Sequence, residues 1–207
     1  MKFQESLDAF GREFITNFNL RYTNNYCKPA DLSKKEFIER NKGFIDVSIY
    51  DFYKEIDSFT LDWENTKGLP EDVRGNVKII PADLSLSDWK GIVYFENDSP
   101  LRFFKILDQF ASEACSGYYT TESKMESSRL IFYYDFHDEP VSLGIGIEGY
   151  IQMIIQSKGY LYWPKVILDI RKKSQTAQVR LMQESMPQIF PSFNFDDFIN
   201  TYEELVK

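Results

Sequence analysis

Ser48-Ile49-Tyr50-Asp51-Phe52-Tyr53-Lys54-Glu55-Ile56-Asp57-Ser58-Phe59-Thr60-Leu61-Asp62-Trp63 changes period partway along. Ile49, Phe52, Tyr53 and Ile56 recur at steps of three or four, which predicts a helix running to about Ser58. From Phe59 to Trp63 apolar and polar residues alternate, which predicts a half-buried strand. Strand signals continue downstream. Gly68, Pro70 and Gly75 mark a loop, Val77-Lys78-Ile79-Ile80 reads as a strand, and Pro81 ends it. Ile92-Val93-Tyr94-Phe95, Phe103 to Leu107 and Tyr118 to Thr121 read as further strands. Leu130 to Phe136 is apolar without alternation and reads as a central strand covered on both faces. Short strands joined by turns, with no helix between them, predict a mainly antiparallel sheet over about residues 59 to 145.

Helices flank this block. Phe3, Leu7, Phe10, Phe14 and Phe18 share one face of a helix over Phe3 to Phe18. Asn17, Asn19, Asn24 and Asn25 then predict a turn-rich connection, and Ser33-Lys34-Lys35-Glu36 a capping box, with Gly43 as the stop. After the strands, Tyr150, Ile151, Ile154 and Ile155 form an apolar stripe ending at Lys158-Gly159. Thr176 to Ser185 is a weaker helix. Asn194 caps a last one, with Asp196 and Asp197 in its first turn. The expected class is α+β, a mainly antiparallel central sheet with helices before and after it.

The chain has 207 residues, 43% of them hydrophobic and 16% aromatic, enough for one large core and too apolar for a disordered chain. Lys and Arg total 24 against 32 Asp and Glu, a net charge of −8. That balance opposes binding to a phosphate backbone and favours a basic partner. One histidine and two distant cysteines leave no zinc site and no disulfide framework. The N-terminus carries acids where an export signal has none, and no apolar run is long enough to cross a membrane, so a cytoplasmic location is expected.

Few residues suggest chemistry. Gly144-Ile145-Gly146-Ile147-Glu148-Gly149 matches G-x-G-x-x-G between a possible strand, Val141 to Leu143, and a helix, with Asp169 twenty residues on after apolar Val166-Ile167-Leu168. Against a nicotinamide site stand Glu148 where pyrophosphate would sit, bulky Tyr150, the breakers Gly159, Trp163 and Pro164, and only 38 residues after Asp169. His137, in His137-Asp138-Glu139-Pro140, reads as a turn histidine, since adjacent residues rarely converge as a catalytic pair. Trp63, Trp89 and Trp163 lie in or beside apolar segments and read as core. No catalytic residue, metal or cofactor is expected.

Several segments together resemble the SUKH superfamily. These are Tyr50-Asp51-Phe52-Tyr53 through Trp63, then Gly75-Asn76-Val77-Lys78-Ile79-Ile80-Pro81, similar to the family's G-x-I-x-I-x-P strand. Asp88-Trp89, Phe104-Lys105-Ile106-Leu107-Asp108 and Ala114-Cys115-Ser116-Gly117-Tyr118 follow. Ser142-Leu143-Gly144-Ile145, Gly149-Tyr150-Ile151 and Lys158-Gly159-Tyr160-Leu161-Tyr162-Trp163 look like the last strand, the amphipathic helix and the aromatic tail ending in Trp. The resemblance covers about residues 45–163 of a single domain, with helical extensions over 1–44 and 164–207.

The resemblance implies a non-catalytic protein-binding domain that neutralises a toxin, such as a nuclease. The alternative within the family is a regulatory scaffold like the fungal regulators of glucan synthesis (the Smi/Knr type). A nicotinamide-dependent enzyme using Gly144, Gly146, Gly149 and Asp169 is the alternative from another class. Because nuclease toxins are commonly basic, the acids Asp83, Asp88, Asp135, Asp138 and Glu139 are candidates for partner contact, Asp135 and Asp138 first among them.

Overall fold

A computed structural model describes residues 2–123 and 129–207. Among them are eight α-helices and seven strands, and every strand pairs antiparallel with the next in the chain. The class is α+β. Helix α1 (Phe3–Ile15) buries Phe3, Leu7, Phe10 and Phe14 as the spacing predicts. It ends one turn early. Phe18 falls in the following turn and is 96% exposed, so it does not belong to the buried face.

The predicted turn-rich connection is instead strand β1 (Leu20–Pro29). Asparagines disfavour strands. Here they lie on the outer edge of the sheet, where β1 is held by ten-residue β2 (Ile56–Asn65) through pairs from Leu20↔Asn65 to Pro29↔Ile56. Ion pairs Arg21–Glu64 and Lys28–Asp57 (2.8 Å) reinforce the same ladder. The N-terminal segment therefore adds a strand to the sheet and is not purely helical.

Helix α2 (Leu32–Arg40) is capped by Asp31, whose carboxylate accepts from the Lys34 amide at 3.0 Å; Ser33 donates its hydroxyl to that carboxylate rather than capping itself. A 3-10 turn, Lys42–Phe44, takes in Gly43. Helix α3 (Val47–Glu55), capped by Asp46, runs straight into β2 at Ile56. Strand β3 (Arg74–Ile79) and the one-turn helix α4 (Ala82–Ser85) follow. After a long loop and a 3-10 turn, Pro100–Phe103, come β4 (Phe104–Asp108), β5 (Cys115–Tyr119), β6 (Phe132–Tyr134) and β7 (Val141–Ser142). Strand β6 is buried on both faces, as its unbroken apolar run predicts, but it is second from the sheet's edge and not central.

Four helices complete the chain: α5 (Ile147–Gln156), α6 (Trp163–Arg171), α7 (Ala177–Ile189) and α8 (Phe195–Leu205). Gly159 takes φ +66, and its amide bonds to the Ile154 carbonyl at 2.9 Å, closing α5 as a left-handed stop. Asn194 accepts from the amides of Asp196 (2.8 Å) and Asp197 (3.2 Å). Asn194→Ala is expected to cost about 1 kcal/mol in urea denaturation, the usual worth of a side-chain cap.

The sheet is covered on both faces over β4 to β6, whereas β2 and β3 alternate buried with half-buried or exposed residues. One face and most helices share a large core that includes Phe10, Phe52, Phe59, Trp63, Tyr150, Trp163 and Phe198. The other face of β4 to β6 carries Phe104, Ile106, Cys115, Phe132 and Tyr134, and is roofed by Trp89 and Val93. All three tryptophans are buried.

Candidate protein-contact surface

The roof is not the strand that Ile92 to Phe95 predicts. It is a pinned loop between α4 and the 3-10 turn. The Trp89 indole donates to the Ser85 carbonyl at 2.9 Å while its ring enters the second core. The amides of Gly91 and Val93 bond to the carbonyls of Tyr94 (2.7 Å) and Trp89 (2.9 Å). With Val93 turned inward, its neighbours turn outward: Ile92 is 56% and Phe95 69% exposed. The run does not alternate as a strand would: Val93 is buried, Tyr94 half-buried and Phe95 exposed.

Acids share the loop with these two side chains. Asp88, Glu96 and Asp98 are exposed in the same loop. The Asp88 carboxylate accepts from the Tyr94 hydroxyl and from the Lys90 amide at 3.1 Å, which hold its pKa below the usual range, the Tyr94 bond contributing most.

The other sequence-predicted contacts fall in two places. Asp83, on α4, lies 2.7 Å from the Lys34 ammonium, whose hydrogen bond lowers its pKa. Asp135, Asp138 and Glu139 come together in the β6–β7 turn, around a cavity of about 90 Å³ shared with Lys165, Lys172 and Asp169. Asp135 there organises its own turn, accepting from the amides of His137 (3.3 Å) and Asp138 (3.4 Å). His137 is exposed, with Nδ1 2.8 Å from the Asp135 carbonyl.

The glycine motif does not build a strand–helix–strand unit. Gly144 and Gly146 shape the turn into α5, and Glu148 stands in its first turn. Val166 to Leu168 is part of α6, not a second strand. Asp169 is buried on that helix, 3.0 Å from Lys165 Nζ and 2.8 Å from the Thr176 hydroxyl. Its position carries a helix-to-helix brace in place of a ribose contact.

Among the described residues, no group of three or more His, Cys, Asp or Glu side chains is placed to hold a metal ion, and no helix is long and apolar enough to cross a membrane. No protein-family model matches the chain, and neither the curated proteins nor the solved structures contain a significant match to it.

Ile92 and Phe95, which the sequence places in a strand, are instead exposed on this loop. Trp89-Lys90-Gly91 and the polar run Glu96-Asn97-Asp98-Ser99-Pro100 bracket them with turn chemistry, which was the available signal.

Proposed function

We propose that this chain is a protein-binding domain that engages a basic protein through the loop from Asp88 to Asp98, in the manner of a SUKH-type toxin-immunity protein. The observation that carries the reading is the pair Ile92 and Phe95, exposed on a loop that Trp89 pins and that also exposes Asp88, Glu96 and Asp98. Exposed apolar groups ringed by charge mark interaction surfaces. Aromatic anchors tend to supply the affinity of such contacts, and rim charges the steering. The acids at Asp135, Asp138 and Glu139 add to the negative field on the approaching partner.

Ile92→Ser and Phe95→Ser are expected to change unfolding free energy by less than about 0.5 kcal/mol, since both side chains already face water. Partner binding should weaken at least tenfold in each, as for loss of an interface anchor worth about 2 kcal/mol. Capture of a partner with the tagged chain, followed by binding titrations of both variants, tests this. An acidic partner, or a basic one bound equally well by both variants, would contradict it.

A further inference from the structure

We propose that the cavity beneath this loop, between the 3-10 turn Pro100–Phe103 and the end of β5, is a binding site for a small organic anion: a carboxylate or phosphate on a compact aromatic body. The cavity measures about 390 Å³, the size of a small-molecule site. Two cations line it, Arg102 and Lys105, and neither forms an ion pair with any described residue.

Each is positioned with donors to spare. Lys105 Nζ is fixed on the Ser87 carbonyl at 2.9 Å, which uses one of its three N–H bonds. The Arg102 guanidinium lies over the Phe103 ring, 4.5 Å from its centroid, and gives one donor to the Asn97 carbonyl at 3.0 Å. Between them the cavity wall presents Thr120, only 4% exposed, whose hydroxyl oxygen has no hydrogen-bond partner among the described residues.

Burial also lowers the Lys105 pKa, so this ammonium is partly desolvated and gains more from an anion than an exposed lysine would. Phe44, Tyr94 and Phe103 supply the apolar walls for the ligand body. Asp88 and Glu122 also line the cavity and act on the Lys105 ammonium, so both are opposing charges that an anion must overcome. Glu122, exposed at the rim, provides a diagnostic handle.

The test uses benzoate and phenyl phosphate as probes, titrated at low salt into the whole chain by calorimetry or amide-resonance shifts. Saturable binding of one or both is expected, and which of them binds tells carboxylate from phosphate. Lys105→Met should weaken binding about tenfold or more, the loss of one charge-assisted hydrogen bond, whereas Lys105→Arg retains it. Glu122→Gln should tighten it. A probe response of neither compound, or binding indifferent to Lys105→Met, would overturn the proposal. So would benzylammonium binding that Glu122→Gln abolishes, because the pocket would then select a cation.

Discussion

Replacing Trp63 with alanine should lower the unfolding free energy by about 3–5 kcal/mol, the range for deleting a buried aromatic ring. Trp63 sits near the C-terminal end of β2, fully buried, in register with Tyr22 on one side and Gly75 on the other. Its ring meets Phe190 edge-on at 5.3 Å, and its indole donates to the Lys158 carbonyl at 2.8 Å. One side chain thus ties the sheet to the end of α5 and to the segment after α7. Gly75 is small for the same reason: a β-carbon there would lie 1.9 Å from the indole nitrogen. Truncation leaves both a cavity and an orphaned carbonyl, and small domains have only about 5–15 kcal/mol to lose. Guanidinium denaturation should show a lower midpoint with an unchanged slope. A loss under about 1 kcal/mol would show that the ring is not the joint described here.

The second large effect is a pH dependence centred on Asp108. This side chain is buried where β3 meets β4, and a single residue pair, Ile79↔Asp108, joins those strands. Its carboxyl group accepts from the Lys78 amide at 2.7 Å and the Tyr150 hydroxyl at 2.9 Å, bridging the junction and reaching α5. Burial pushes its pKa up to about 7, against the opposing pull of those two hydrogen bonds. The folded state therefore holds the proton more tightly than the unfolded chain, in which the group titrates near about 3.9. Its stabilising contribution is complete below that value, is lost as pH rises towards 7, and is constant beyond. A difference of about three in pKa, at about 1.4 kcal/mol each, sets the scale at about 4 kcal/mol.

Asp31, Asp83 and Asp88 have depressed pKa values and act in the opposite sense, their contribution being lost as pH falls through those values. Comparison with Asp108→Asn isolates the buried group. The stability of that variant relative to the parent should rise by several kcal/mol between pH 4 and pH 8, an order-of-magnitude scale from the linkage relation. A difference independent of pH would mean that Asp108 titrates as an ordinary carboxyl group.

Much of this architecture is legible in the sequence wherever one residue pattern meets one environment. Phe3, Leu7, Phe10 and Phe14 lie on a helix face because each finds the core, and Asn194 caps because nothing competes for the amides that follow it. The failures share a cause, which is that a tertiary partner overrides local preference. Strand β1 is polar and asparagine-rich, and pairing with long β2 holds it extended. Helix α6 hides behind Trp163-Pro164, which reads as a break although proline suits the first turn of a helix. Helix α7 likewise runs past Pro187 to Ile189.

The candidate surface was less legible. Counting acids finds Asp88, and it also finds Asp83, which Lys34 already pairs, and Asp135, which is occupied with its own turn. Ile92 and Phe95 become visible only when Trp89 and Val93 are seen to anchor the loop from beneath.

The central claim is that an acidic, apolar loop receives a basic protein. The most direct measurement is the association rate of the captured partner as ionic strength rises, for the parent chain and for Phe95→Ser. Steering by opposite charge predicts that the parent rate falls steeply with salt. Phe95→Ser should keep that salt dependence while dissociating at least about tenfold faster, since loss of an anchor acts mainly on the off-rate. An association rate indifferent to salt, together with an unchanged dissociation rate for Phe95→Ser, would contradict the account.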